Sequence, residues 1–281
     1  MIDVFLYVAF AAGVAAGHLT RWRSPWIDRA IFADIVVLVF FLGVLLAALP
    51  ATHLLAAIPL ALGLVGLTLA LTLGLVRVLP RRPRALGTGK RPKPLGVFVV
   101  AGLVVGYGVG HLAALPGATA LTAALYVLLA LVGFTIRFSW EALRTTPTPV
   151  LAALVGALVA APVFSLATGF SFRAALASTL GFGFYSLAGP LVTTGIGPLA
   201  GLVAFLTNFF RENLTMISAP WLGPRVRAEG LTAMGGATTM DTTLYFVTAY
   251  GDAEAGSMAL ASGLTLTVIA SLAVPLVLAL A

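Results

Sequence analysis

The chain has 281 residues, of which 60% are hydrophobic and only 9% are charged, with a net charge of +7 and no cysteine. Soluble domains carry about 25% charged residues, so this composition excludes an ordinary soluble enzyme and predicts a protein built into a bilayer. The lack of cysteine excludes structural disulfides and thiolate metal sites, and the basic balance is that of cytoplasmic loops, with no nucleic-acid partner expected.

The first part of the sequence predicts six membrane-spanning helices. Each apolar run is close to the roughly 20 residues that a helix needs to cross a bilayer. Asp3 precedes the first run and arginines follow it, which is the reverse of a signal peptide. Gly106 and its neighbouring glycines in the fourth run indicate close helix packing and not phosphate binding. The six runs cover 4–20, 31–49, 53–76, 95–114, 119–138 and 149–169.

The last third contains two runs that glycines interrupt. Residues 174–196 include GFGFYSLAGP, and residues 231–250 include GGATTMDTT. Glycine in a helix costs about 1 kcal/mol relative to alanine, so both runs predict broken helices or re-entrant hairpins. Between them we expect a helix over 198–220 that ends at Pro220, then the loop LGPRVRAEG. A last span is expected over 255–280.

A basic loop predicts the orientation of the chain. Residues 77–93 carry seven basic residues and no acid, so the positive-inside rule places them in the cytoplasm. Counting spans from this loop places both termini outside. If both interrupted runs cross, there are ten spans. Charge counting instead favours an all-α protein with eight spans plus two hairpins from opposite faces, the arrangement that an inverted repeat gives.

Glu212 is the first candidate for a functional carboxylate. It shares a helix face with Asn208, Arg211 and Thr215, at spacings of three, four and seven residues. An acid at that depth should face the bundle interior and be paired, neutral or hydrated. The functional interpretation is a cation or proton site. The alternative is a structural polar pair, with a structural or orienting role for Arg211.

Asp241 is the second candidate, in the second interrupted run. Thr238, Thr242 and Tyr245 share its predicted helix face, and Thr239 lies beside them. A helix that starts at this point would expose backbone N–H groups that favour an anion. Asp241 could instead be an N-cap. The residue types favour neither interpretation, and one carboxylate can serve as both.

Three further residues complete the candidate set. Tyr185 and Ser186 lie in the first glycine-rich segment and could bind a substrate, although its glycines could serve only close packing. Asp34, in the second apolar run, is interpreted first as an interfacial acid paired with Arg29. No histidine is spaced for a metal site and no catalytic or phosphate-loop motif occurs. We therefore expect no enzyme, metal or cofactor.

The motifs of the last third resemble those of the lysine exporter LysO family. GFGFYSLAGPLV, FRENLTMISAP and GGATTMDTTLYF follow the order and spacing of that family's motifs over about 178–250. The resemblance implies an inner-membrane exporter of L-lysine and its toxic analogue thialysine. It also implies that Glu212 and Asp241 are the family's two intramembrane acids in this region. The family's acid near the end of the second span has no counterpart in LLAALPATH, and Asp34 is the nearest substitute.

Together these features predict a secondary transporter in a single transmembrane domain, 1–281, with a scaffold over 1–170 and the substrate site in 171–281. A basic amino acid would exchange for H⁺ or Na⁺ through Glu212, Asp241 and Asp34. The alternatives are a cation/proton antiporter or organic-anion symporter with similar broken helices, or a scaffold without transport. The oligomeric state stays open between a monomer and a homo-oligomer. The predicted substrate-binding residues are Glu212, Asp241, Tyr185, Ser186, Asn208, Thr238, Thr239 and Thr242.

Overall fold

The computed structural model of the chain describes residues 4–20, 25–48, 51–79, 96–135, 147–240, 242–249 and 253–280. The described part contains helices and no strands, which confirms the all-α prediction. A 3₁₀ turn covers Gly236–Met240. The helices are α1 (Val4–Thr20), α2 (Pro25–Leu46), α3 (Ala51–Val78), α4 (Gly96–Leu112), α5 (Gly117–Thr135), α6 (Pro147–Thr168), α7 (Phe172–Thr179), α8 (Tyr185–Gly195), α9 (Pro198–Gly235), α10 (Leu244–Ala249) and α11 (Ala253–Ala279).

The six apolar runs of the first part correspond to α1–α6. Their observed bounds differ from the predicted ones by a few residues, the largest difference being the start of α2 at Pro25. In the described part, four helices are long and apolar enough to cross a membrane, and α1, α4 and α5 contain shorter apolar stretches. The total of eight spans stays a prediction. The four candidate spans are Arg29–Leu46, Leu55–Val78, Pro147–Thr168 and Ala255–Ala279.

Glycines of α4 bring its backbone against α2. A Cβ on Gly106 would overlap the carbonyl oxygen of Phe40, and a Cβ on Gly110 would lie 2.8 Å from the carbonyl oxygen of Val44. Gly106 meets Phe40 and Gly110 meets Val44, so the contacts advance toward the C-terminus in both helices. The helices α2 and α4 are therefore parallel. A Cβ on Gly108 would instead point into open space, with no atom of another element within 4 Å. Small residues permit such close backbone approach between helices.

Valine at position 106 is therefore expected to destabilise the bundle. Gly106→Val forces α2 and α4 apart, and overpacking of this kind costs about 1–3 kcal/mol. Gly108→Val makes the same chemical change two residues away, where open space receives the side chain. Thermal unfolding of the purified proteins, followed by circular dichroism, should give a clearly lower midpoint for Gly106→Val. Equal midpoints for the two variants would contradict this packing.

The first interrupted run forms a helical hairpin from α7 and α8. Arg173, at the start of α7, donates a hydrogen bond of 2.7 Å to the carbonyl of Leu278 near the end of α11. The same Nη2 atom lies 3.4 Å from the carbonyl oxygen of Gly195 at the end of α8. Both ends of this first hairpin therefore lie together at one end of the molecule, beside the end of α11.

The second interrupted run forms a second hairpin. The chain turns back at Arg227, whose φ of 59° and ψ of −174° interrupt α9. The segment 228–235, the 3₁₀ turn and α10 follow. Val226 and Ala228 pack with Val247 and Ala255 in one hydrophobic cluster. The two ends of the second hairpin are thus also adjacent.

The two hairpins enter the bundle from opposite ends, and α6 provides the reference direction. The first hairpin starts directly after the last residue of α6, Thr168. The second hairpin instead packs near the first residues of α6, where Ala233 forms a cluster with Ala152 and with Val76 of α3. Because α6 runs the length of the bundle, the apices of the hairpins point toward each other.

The prediction that a helix ends at Pro220 is wrong. The helix continues through Pro220 and Pro224 and is interrupted only at Arg227. Proline removes one main-chain donor and bends a helix, but it does not always end one. The predicted loop LGPRVRAEG is consequently helical on both sides of Arg227. Glu229, which that loop would expose, is only 3% exposed.

Candidate functional site

The apices of the two hairpins meet through main-chain atoms. The N–H of Ala237 donates a hydrogen bond of 2.9 Å to the carbonyl oxygen of Phe182. Gly183 and Gly236 have φ angles of +96° and +65°, a region that favours glycine. A Cβ on Gly236 would overlap the Phe182 carbonyl oxygen, and a Cβ on Gly183 would lie 3.1 Å from the carbonyl oxygen of Gly235. We call this meeting point the hairpin crossing.

Asn208 of α9 binds the backbone of the first hairpin. Its Nδ2 atom donates to the carbonyl of Ser178 at 2.8 Å, and its Oδ1 atom accepts from the N–H of Gly183 at 2.7 Å. Nδ2 also lies 2.9 Å from the carbonyl oxygen of Ala204 in the same helix. The amide is thus engaged with the protein itself, and a contact with substrate stays a prediction.

Arg211 lies almost one turn further along α9 and binds the second hairpin. Its side chain is 2% exposed. Nε donates to the carbonyl of Met234 and Nη2 to that of Ala233, both at 2.8 Å. The guanidinium also lies 5.8 Å from the ring centroid of Phe182. Adjacent turns of one helix therefore hold both apices.

Glu212 lies next to this pair of side chains. It is 4% exposed, and it follows Asn208 by four residues on the same helix stripe. A carboxylate buried in an apolar bundle needs a cation, a proton or water. By its position on α9, the buried carboxylate of Glu212 lies about one helical turn from the residue that holds the first apex.

Asp241 lies outside the described residues. Its neighbours in the chain are Met240, the last residue of the 3₁₀ turn, and Thr242, which is partly buried. The side chain of Tyr245 is likewise outside the described part. The proposed role of Asp241 therefore rests on sequence and resemblance alone.

The threonines of the second apex form hydrogen bonds within that apex and to α11. The hydroxyl of Thr238 donates to the carbonyl of Gly235 at 3.0 Å and lies 3.2 Å from the hydroxyl of Thr243. The hydroxyl of Thr239 lies 2.9 Å from the carbonyl oxygen of Ala259 in α11. Both predicted ligands thus lie at the crossing, and their hydroxyls contribute to its shape.

Aromatic residues of α9 fix the start of α8. The ring of Tyr185 packs edge-on against Phe205 and Phe209, with centroid distances of 5.6 and 5.9 Å. Ser186 follows in the first turn of α8 and is 1% exposed. Edge-to-face packing of this kind stabilises by about 0.5–1.5 kcal/mol beyond burial. The two predicted ligands therefore sit on a firmly held helix start at the first apex.

Asp34 is placed on a different part of the bundle. It lies in α2, which packs mainly against α4 and α5. Among the described residues, no hydrogen-bond partner reaches its buried Oδ2 atom. Its predicted partner Arg29 instead lies over the ring of Trp26, 4.9 Å from the centroid. No hydrogen bond in the described part joins Asp34 to the crossing, and its coupling role stays a prediction.

Glu229 is a buried carboxylate that sequence reasoning placed in a loop. It occupies the first turn of the segment 228–235, where the positive end of the helix favours an acid. Glu229 is three, four and seven residues before Thr232, Ala233 and Gly236, a spacing that fits one helix face. This spacing was the signal in the sequence that could have predicted a helix here.

Within the ranges described, no group of three histidine or acidic side chains could hold a metal ion.

Comparison with known proteins identifies the family. The family described as "Lysine exporter LysO" matches residues 96–278. The chain belongs to the LysO family. This match includes both hairpins and α9, the elements that form the crossing. Membership and the long apolar helices together make the chain a helical membrane protein of a transporter family.

Two relatives show how far the likeness extends. Lysine exporter LysO of Escherichia coli K12 is 33% identical over 190 residues, which cover 63% of this chain and 60% of that protein. A Haemophilus influenzae Rd protein named "Putative lysine exporter" is 30% identical over 114 residues, covering 41% and 56% respectively. The chain thus matches less than two thirds of the length of either relative, 60% of the first and 56% of the second. No solved structure matches the chain.

Proposed function

We propose that this protein exports L-lysine, and analogues such as thialysine, across the cell membrane in exchange for H⁺ or Na⁺. The observation that carries the proposal is the hairpin crossing beside buried Glu212 in a member of the LysO family. Lysine carries one carboxylate and two ammonium groups. A site for it needs an anion receptor and at least one fixed negative charge.

Broken helices supply the anion receptor. The helix α8 starts at the first apex, and its N-cap residue Phe184 makes no side-chain capping hydrogen bond. The N-terminal end of a helix favours an anion, here the lysine carboxylate. Tyr185 and Ser186 lie in the first turn of α8, where they can complete this receptor. Transporters with discontinuous helices bind charged substrates by the same principle.

The acids supply the negative charge for the ammonium groups. Glu212 is buried beside the crossing, and Asp241 directly follows the 3₁₀ turn in sequence. A carboxylate that holds either a proton or the lysine ammonium, but not both, couples their movements in opposite directions. We keep Asp34 as a further proton site. The polar lining is completed by Asn208, Thr238, Thr239 and Thr242.

Coupling offsets the electrical cost of export. Moving one positive charge out against an inside-negative potential of 100 mV costs about 2.3 kcal/mol. Inward movement of H⁺ or Na⁺ in the same cycle returns that energy. Uncoupled export would need a high internal lysine concentration. Antiport therefore accounts for export at ordinary concentrations.

The proposed orientation places the basic loop 77–93 in the cytoplasm and both termini outside. The first hairpin, which shares its end of the molecule with Leu278, then enters from outside. The second hairpin enters from the cytoplasm. In this arrangement 1–170 serves as scaffold and 171–281 as the substrate region of one transmembrane domain. The opposite directions of the two hairpins support the entry of one hairpin from each side of the membrane.

Efflux from liposomes tests the proposal. Purified protein is reconstituted with labelled lysine inside, and an inward H⁺ or Na⁺ gradient is imposed separately. We expect one of the gradients to accelerate lysine efflux several-fold over protein-free liposomes and over protein without a gradient. Efflux that neither gradient changes would rule out antiport. Na⁺ or H⁺ flux without lysine flux would show a cation/proton antiporter instead.

A further inference from the structure

The guanidinium of Arg211 is committed to the end of a helix segment. Its two hydrogen bonds reach the carbonyls of Ala233 and Met234, in the last turn of the segment 228–235. Carbonyls of the last turn have no partner within their own helix. They also form the negative end of the helix dipole, which favours a cation. Arg211 therefore supplies both the missing donors and the opposite charge.

Asn208 performs the matching function for the first hairpin. It donates to the carbonyl of Ser178, next to the last residue of α7, and accepts from Gly183 at the apex. Arg211 adds a contact to this hairpin through the ring of Phe182. The main-chain hydrogen bond from Ala237 to Phe182 joins the apices directly. These contacts together define one arrangement of the crossing.

An arginine beside a buried acid in an amino-acid exporter invites a different assignment, namely a ligand for the substrate carboxylate. A guanidinium binds a carboxylate best when two of its N–H groups point to the two oxygens. In this structure both Nε and Nη2 of Arg211 donate to main-chain carbonyls. These two atoms form one edge of the planar guanidinium. That edge is occupied by the protein.

We propose that Arg211 is a positioning residue, which holds the second apex against α9 and does not bind the substrate carboxylate. The fixed cation keeps the second hairpin in contact with the first and so keeps the crossing beside Glu212. Loss of Arg211 leaves two buried carbonyls without donors and frees the apex to move. The inference rests on the proposed function only for the substrate readout.

The chain has no cysteine, so a single thiol can report on the apex. Ala237, at the crossing, is 2% exposed, and maleimide should label the Ala237→Cys variant slowly. Adding Arg211→Gln is expected to raise the labelling rate constant about tenfold or more, since charge-assisted hydrogen bonds to the apex are lost. Arg211→Lys keeps the charge at the helix end and should restore part of the protection.

Two controls separate a local effect from general unfolding. Arg225→Gln removes an exposed arginine of the same helix, whose guanidinium donates to Trp221 of its own helix, and it should leave labelling at position 237 unchanged. The Ala124→Cys variant reports on α5, where this residue is 7% exposed. If Arg211→Gln also speeds maleimide labelling at position 124, that variant is unfolded more generally, and the milder Arg211→Lys variant then tests the proposal. It must label faster than the parent at 237 while 124 stays protected.

Equal labelling at position 237 in the parent and in both Arg211 variants would overturn the proposal. A higher KM for lysine efflux, with position 237 still protected, would overturn it in favour of a carboxylate ligand. Labelling needs no substrate. If the parent moves no lysine while Arg211→Gln still exposes the apex, the proposed function fails and the positioning role stands.

Discussion

Replacing Glu212 by glutamine is expected to lower lysine efflux about 30-fold or more. The exchange keeps the size of a side chain that is 4% exposed and removes its charge. Removing one partner of a buried charged contact costs about 2–5 kcal/mol, and each 1.4 kcal/mol corresponds to a factor of ten. Efflux from liposomes at equal protein density measures the effect.

Asn213 provides the control for this prediction. It follows Glu212 directly, but its amide donates to the carbonyl of Phe209 in its own helix. Asn213→Ala should leave efflux within about twofold of the parent, because it removes no charge from the crossing. If Glu212→Gln transports as fast as Asn213→Ala, Glu212 is not the substrate or coupling acid.

Replacing Gly236 by alanine is expected to have the second large effect. A Cβ at this position meets the carbonyl oxygen of Phe182, which accepts the hydrogen bond that joins the apices. The positive φ adds strain for any other residue. Overpacking and strain together should cost about 2–5 kcal/mol. We expect a lower midpoint of thermal unfolding and the loss of lysine efflux.

Gly169 separates the two causes. Its φ is +72°, close to that of Gly236, but no atom of the surroundings lies within 4 Å of a Cβ built there. Gly169→Ala therefore carries the strain of a positive φ without the collision. It should reduce stability by about 1 kcal/mol and leave efflux intact. Equal losses of efflux in the two variants would show that the collision at the crossing does not cause the loss of transport in Gly236→Ala.

The positions of the helices along the sequence were largely predictable, because the length of an apolar run is enough to locate a membrane helix. The bounds of α1 to α6 agree with the predicted runs to within a few residues, the largest difference being the start of α2 at Pro25. The broken runs were predictable too, since Gly183 and Gly236 stand in otherwise apolar segments and both adopt positive φ. Their opposite directions followed from the basic loop at 77–93 and the count of spans. The apolar runs and the glycines are local signals, whereas the directions needed a count of spans along the chain.

The partners of polar side chains were not predictable. Asn208 and Arg211 share a helix face with Glu212, and that spacing suggested a substrate site for Asn208 and Glu212 with a structural or orienting role for Arg211. The structure shows that the amide and the guanidinium bind main-chain atoms of Ser178 and Ala233, about 20–30 residues away in sequence. A backbone acceptor carries no residue identity, so the sequence offers no sign of it. Glu229 was missed for another reason: Pro220 and Pro224 suggested a loop, whereas the chain is helical on both sides of Arg227.

The junction between the two hairpins is made of peptide groups. The donor belongs to Ala237 and the acceptor to Phe182, and neither atom changes when a side chain is exchanged. Exchanging a side chain at 182 or 237 leaves these two atoms in place, although both side chains are buried in the core and limit which residues fit there. The glycines at 183 and 236 set the distance of approach, and Asn208 and Arg211 hold the two apices against α9. The contact between the hairpins therefore constrains the backbone at 183 and 236 directly, while its donor and acceptor atoms are common to every residue type except proline.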